Sequence, residues 1–272
     1  DGGLFFNGFL DVTASNGQGQ DGKQSHLTRK HGVGEFWCHK LDENGNLQWR
    51  RYFGGTSNDR SYDAVETQKG NFILVGSSES QDVDVSNPKG GYDIWVVKID
   101  SKGNLLWERS VGGSEYDIGK AVIETQTGNF LIAGQTFSQD KDISNPLGSS
   151  DGILVWLSSE GELIQSQNIG ASEFDTLNDL IQRPDGTLMA LGYSGTIQTQ
   201  ENVLDNDVTL YYTRSNGALM SSHRIEGNGL DLGEAIALNP KGDVINVGST
   251  DSSSGQFSAY KGGKDILIAI WN

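Results

Sequence analysis

Short apolar runs punctuate this chain at nearly even intervals, and few are longer than a β-strand needs. Residues 119–170 show the pattern most plainly, as "GKAVIETQ", "NFLIAGQT", "DGILVWLS" and "ELIQSQNIG". Apolar positions alternate or cluster over about 5–8 residues in each, bounded by Gly, Asn, Asp or Pro, as strands require. Elsewhere "TGN", "SKGN", "SEGE" and "PKGD" put glycine where a hairpin turn needs positive φ. No segment carries the 3.6-residue period of a long amphipathic helix. The pattern predicts four short antiparallel strands per unit.

The unit repeats. An acidic residue opens the third strand at Glu35, Asp93, Asp151, Asp207 and Asp265, in steps of 58 (93 − 35), 58 (151 − 93), 56 (207 − 151) and 58 (265 − 207). Gly76, Gly134, Gly192 and Gly248 keep that spacing, as do Asp59, Asp117, Asp175 and Asp231. A β-solenoid would need a much shorter coil, and a sandwich would not repeat at this interval. The expectation is one all-β domain over 1–272, a five-bladed β-propeller of four-stranded repeats about 58 residues long. Its blades would fall near 1–55, 56–113, 114–170, 171–227 and 228–272. "GGLFFNGFLDV" aligns with "GNFILVGSSES", so the first blade lacks an innermost strand, and "DILIAIWN" leaves the last without an outermost one. Strands upstream of residue 1 are expected to close the ring, because an open sheet edge is a liability. The abrupt opening "DGGLFF" reads as a processed or truncated end.

The motif "D-x-W-V-x-K-x-D-x-x-G-x-x-x-W…GG…D-x-A…G-x-x-x-x-G-x-T-x-S-x-D-x-D" is met by Asp93, Trp95, Lys98, Asp100, Gly103, Trp107, Gly112, Gly113, Asp117, Ala121, Gly128, Gly134, Thr136, Ser138, Asp140 and Asp142. In this the chain resembles the bacterial SBBP-type beta-propeller repeat family of exported and surface proteins, often from Bacteroidetes. The likeness covers essentially the whole chain and fades after 151, where Gln165 stands for Trp107 and Ala171 for the second glycine. The resemblance implies a propeller and an exported habitat (periplasm, outer membrane or cell surface). It implies no activity, since propellers host unrelated functions.

Charge narrows the partners. A formal net charge of −16 and a pI near 4.5 repel phosphate backbones, which argues against nucleic acid. No apolar run is long enough to span a bilayer as a helix. The single cysteine, Cys38 in "EFWCHKLD", cannot form an intrachain disulfide and reads as an inert core thiol. Trp37, Trp95, Trp107 and Trp156 read as blade-to-blade packing.

Two loops share the pattern "SQDxDxSNP". Asp82, Asp84, Ser86 and Asp93 fall at positions 1, 3, 5 and 12, as do Asp140, Asp142, Ser144 and Asp151. Calcium takes hard oxygen ligands at that spacing. Against it, Asn87 and Asn145 stand where the EF-type loop has glycine, and position 12 is Asp rather than Glu. Turn chemistry, with Pro88 and Pro146 stiffening the hairpin, is the favoured reading, and calcium is the alternative cofactor.

Catalysis needs unlike residues at one place, whereas repeats supply like residues everywhere. No H-E-x-x-H, G-x-S-x-G, P-loop or C-x-x-C occurs, so no enzyme is expected. The clearest break in the repeat is the loop 13–34. The step from Gly8 to Gly76 is 68 (76 − 8) against 58 for the next, and the loop gathers Lys23, His26, Arg29, Lys30 and His31 on an acidic chain. A long polar loop on a rigid scaffold is where binding function sits. The expectation is a non-catalytic interaction module of the bacterial cell envelope, associated with an outer-membrane secretion or surface complex and contacting another envelope protein through this loop or a propeller face. The alternative is a glycan-binding surface domain using Tyr62, Tyr116, Tyr193 or Tyr260. A protein partner would leave a broad apolar patch or a charged loop; a glycan would leave aromatics in an exposed cleft.

Overall fold

The computed structural model describes residues 2–10, 31–32, 34–171, 173–198, 203–257 and 261–271. Among them eighteen strands form five antiparallel sheets, each a simple meander. Blade 1 is β1 (Leu4–Leu10), β2 (Glu35–Leu41) and β3 (Leu47–Phe53). Blade 2 is β4 (Asp59–Glu66), β5 (Phe72–Ser78), β6 (Asp93–Ile99) and β7 (Leu105–Val111). Blade 3 is β8 (Asp117–Glu124), β9 (Phe130–Thr136), β10 (Asp151–Leu157) and β11 (Leu163–Ile169). Blade 4 is β12 (Phe174–Gln182), β13 (Leu188–Gln198), β14 (Val203–Thr213) and β15 (Leu219–Ile225). Blade 5 is β16 (Asp231–Leu238), β17 (Val244–Thr250) and β18 (Asp265–Trp271). The first strands of blades 2–5 meet in succession, β4 with β8, β8 with β12 and β12 with β16, and line one axis. This is the expected five-bladed propeller, three-stranded at both ends.

The periodic glycines have one cause. Each inner strand carries a β-bulge, at Tyr62, Lys120, Asn178 and Glu234, where the pairing register skips a residue. The bulge swings a carbonyl toward the neighbouring strand. A Cβ at Gly134 would lie 1.9 Å from the Ile118 oxygen, and one at Gly76 would lie 1.8 Å from that of Arg60. Only glycine fits.

Blades pack face to face through alternating side chains. Ile73, Val75, Ile94 and Val96 of blade 2 interdigitate with Val122, Phe130, Ile132, Ile153, Val155 and Leu157 of blade 3, all buried. Each such side chain contributes about 1.5–3 kcal/mol by leaving water. The tryptophans reinforce the joints: Trp95 packs edge-on to Phe36 at 4.6 Å, and Trp107 Nε1 donates to the Ser159 carbonyl of the next blade at 3.2 Å. Trp37 departs from the expectation. It lies half-buried on the other face of blade 1, against His39.

Polar ties hold the crossings. Asp117 is buried and accepts hydrogen bonds from Thr136 Oγ1, Ser138 Oγ (2.9 Å) and the Gly113 N–H (2.8 Å). Asp59 repeats this with Ser78, Ser80 and Gly55, and Asp231 with Thr250 and Ser252. In blade 4 Tyr211 Oη supplies a donor to Asp175 at 3.2 Å. Around the axis, Asp63 accepts from Val122 N–H and Asp179 from Ile236 N–H, both at 2.8 Å. Between them the Lys120 ammonium donates to Thr176 Oγ1 and Asn178 Oδ1, each at 2.8 Å.

Candidate functional site

The two "SQDxDxSNP" loops clasp the crossover entering their own blade. Asp82 accepts from the Thr56 N–H (2.9 Å) and hydroxyl; Asp84 accepts from the Gly54 N–H (3.3 Å). Asp140 and Asp142 do the same to Ser114 and Gly112, and Asp142 also pairs with Lys89 at 3.4 Å. Ser86 donates instead to Glu108, while the Ser144 hydroxyl accepts from the neighbouring Asn145 amide at 3.4 Å. Asp93 takes the Lys89 N–H, and Asp151 takes the N–H groups of Leu147 and Gly148. Each proposed calcium quartet is thus divided among separate partners. Among the described residues no three His, Cys, Asp or Glu side chains come together as a metal cluster. The donors these carboxylates face are N–H and O–H groups, the arrangement of turn capping.

Asn87 and Asn145 occupy the left-handed region at φ 56°, so each does what glycine would do there. Val83 (φ 59°) and Lys141 (φ 58°) are left-handed as well. For β-branched Val83 that conformation is strained.

The basic loop divides. Lys23, His26, Arg29 and Lys30 lie outside the described residues. His31 is described, and it is buried rather than presented as a surface contact: its Nδ1 sits 2.8 Å from Glu35 Oε2, with the Gly32 N–H donating to Oε1 at 2.9 Å. Burial opposes charge on His31, but the hydrogen bond to Glu35 and the carboxylates of Glu35, Asp84 and Asp59 prevail and raise its pKa. Burial raises Glu35 to about 7, with Asp59 adding to the rise. The same arrangement recurs one blade on, where burial raises Asp93 to about 6, helped by Asp117. Asp93 Oδ1 is buried without a hydrogen-bond partner. Position −4 from the acidic residue reads His31, Lys89, Leu147, Val203 and Lys261 along the repeats, so the histidine is particular to blade 1.

The sequence left the last blade without an outermost strand, with residues upstream of residue 1 expected to supply it; what it did not show is the exposed apolar face of blade 5. In β14, Val208 and Leu210 stand one and three places after the acidic residue and are fully buried under blade 5. In β18, the same places hold Ile266 and Ile268, with Ile270 beyond, and these are 83%, 64% and 62% exposed. Cross-strand neighbours extend the patch: Val247 pairs with Ile268 and Ile245 with Ile270, backed by Ala235 and Ala237. Among the described residues β18 pairs with β17 and with no second strand, where β7, β11 and β15 complete blades 2–4. A cleft of about 630 Å³ runs along it, lined by Phe257, Lys261, Lys264, Ile266 and Ile268 among others. The opposite flank, on blade 1, is also apolar. Leu4 and Phe6 are exposed, and Phe6 stacks on His39 at 4.8 Å. The signal was present: "DILIAIWN" aligns with strands whose outward face a following blade covers.

No protein-family model matches the chain, and no curated protein matches it. Solved structures do resemble it. A protein of unknown function from Bacteroides caccae superimposes with a TM-score of 0.46 at 11% identity, covering 80% of this chain and 62% of that one. A gluconolactonase from Xanthomonas campestris gives 0.45 at 10% identity, covering 79% and 65%. A WD40 domain from Neurospora crassa gives 0.34 at 11%, covering 78% and 71%. The chain therefore spans somewhat less than two thirds of the first two proteins. At these scores the likenesses assign it no activity. The chain is a repeat-built β-propeller, and its candidate site is the open apolar flank of blade 5.

Proposed function

We propose that this propeller is a non-catalytic protein-interaction module whose contact is the open flank of blade 5. The observation that carries this reading is the exposure of Ile266, Ile268 and Ile270 at positions where the repeat elsewhere is core. A contiguous apolar face of this kind marks an interaction surface or an aggregation hazard. Among the described residues no strand pairs with the outer edge of β18, whose backbone donors and acceptors a partner strand satisfies by β-augmentation. The partner supplies an extended segment with apolar residues at alternate positions, filling the place that β15 takes in blade 4. The resemblance to the SBBP-type repeats supports a home in the bacterial cell envelope, on or beneath the outer membrane.

A photo-crosslinking residue in place of Ile268, compared with one in place of exposed Ile164 on β11, tests this in native cells. The expected result is one adduct heavier than the chain from position 268 and none from 164. A product that stays within the same polypeptide, or equal adducts from both positions, overturns it.

A further inference from the structure

The junction of blades 2 and 3 carries three aromatic rings that no other junction repeats. Tyr92 precedes β6, Tyr116 precedes β8 and Phe137 follows β9. The rings meet edge to face, with centroids 4.9 Å apart for Tyr92–Tyr116 and 6.2 Å for Tyr116–Phe137. The corresponding triplets elsewhere are Gly34, Asn58 and Glu79; Ser150, Phe174 and Gly195; and Asn206, Leu230 and Asp251. The same parallel bridge forms at all four junctions, so the backbone crossing does not require aromatic side chains. Tyr116 and Phe137 are each 36% exposed, and Tyr62, at the bulge of β4, is 42% exposed.

Beside Tyr92 opens a polar cavity of about 460 Å³, lined by Thr56, Ser57, Glu79, Gln81, Asp82 and Gly90 among others. Its size suits a small ligand. The Tyr92 hydroxyl donates to Glu79 Oε2 at 3.0 Å and joins the cavity wall to the rings. Glu79 belongs to blade 2 alone; Phe137 is its equivalent in blade 3.

A ligand for this surface needs an apolar face for the rings and a rim of hydroxyls for the carboxylates and the amide. Pyranose rings have both, and aromatic side chains with a polar tip serve such amphipathic contacts. Anionic sugars meet Glu79 and Asp82 in a chain of net charge −16, and nucleotides meet the same repulsion. We propose that this cleft binds a neutral oligosaccharide, one unit in the Glu79–Asp82 cavity and the next over Tyr116 and Phe137. The site shares no residue with the flank of blade 5, so the two bind independently.

Isothermal titration calorimetry tests the proposal with cellohexaose, xylohexaose, mannohexaose and chitohexaose, and with a galacturonate hexamer as the acidic comparison. At least one neutral hexamer is expected to bind, and more tightly than the acidic one. Its affinity falls at least tenfold in the Tyr116→Ala/Phe137→Ala double variant and in Glu79→Gln, and is unchanged in Ile268→Ser. All four side chains are at the surface, and melting curves matching the parent show that the fold is kept. No binding by any neutral hexamer, tighter binding of the acidic one, or affinity indifferent to both the double variant and Glu79→Gln overturns the assignment.

Discussion

Ile94 and Val96 on β6 and Ile266 and Ile268 on β18 occupy the same two places in their repeats. The first pair is fully buried against blade 3; the second is among the most exposed apolar groups on the molecule. The chemistry is the same and the local strand is the same. What differs is whether another blade among the described residues packs on the face. A face that is core in one copy of a repeat is exposed in another without any change of residue type, because burial belongs to the neighbour and not to the strand. The hydrophobic effect acts on that face either way, and where no described residue covers it, the drive to bury it is unspent.

The largest expected difference comes from charging each face. Val96→Asp places a carboxylate in a packed interior and is expected to cost at least about 4 kcal/mol, abolishing cooperative folding. Ile268→Asp on the flank is expected to leave the melting temperature within a few degrees while removing the partner. Circular dichroism melts of both variants check this, and equal destabilisation would erase the distinction between the two faces.

Next in size is the buried hub of the regular junction. Asp117→Ala leaves the donors of Thr136, Ser138 and Gly113 without their acceptor, at an expected cost of about 2–4 kcal/mol by urea unfolding. A loss under 1 kcal/mol would show that the hub holds nothing.

The junctions should also differ from the flank in their response to pH. Burial raises Glu35 to about 7 and Asp93 to about 6, above their ordinary values of 4.5 and 3.8. The folded state therefore binds more protons between about pH 4 and 7, and stability falls as pH rises through that window. His31, also raised, acts in the same direction. The groups facing Glu35 are His31, Asp59 and Gly32 N–H; those facing Asp93 are Asp117, Lys141 and the N–H groups of Lys89 and Gly90. A higher melting temperature at pH 5 than at pH 8 is expected from scanning calorimetry. Glu35→Gln should reduce the difference, and the reverse slope would contradict the assignment.

The smallest effect lies in the strained loop. Val83→Gly relieves a left-handed β-branched residue and is expected to stabilise by about 0.5–1 kcal/mol, despite the entropy glycine adds to the unfolded chain.

How much of this was legible beforehand follows from what periodicity encodes. Alternation and the spacing of Glu35, Asp93, Asp151, Asp207 and Asp265 were enough for five blades, three strands in the first and last, and the faces that pack. They say which side of β18 is apolar but not that it is bare, since exposure depends on what lies across from it. Likewise, "SQDxDxSNP" could be read as a turn, yet the left-handed Val83 was invisible because a β-branched side chain disfavours the conformation it adopts there. Charge density placed His31 on a binding loop; geometry buried it, because Glu35 within a four-residue reach offers a stronger partner than water. The aromatic triplet at 92, 116 and 137 was hidden by distance along the chain, although Tyr116 was singled out alone.

Hydrogen–deuterium exchange on the purified protein, at a concentration where sedimentation shows a monomer, tests the bare flank most directly. The amides of β6, β10 and β14, each flanked on both sides, are expected to stay protected for hours, while those of β18 that face away from β17 exchange within seconds. Protection of β18 equal to that of β10 would mean that the edge is already covered, and the open-flank account would be wrong.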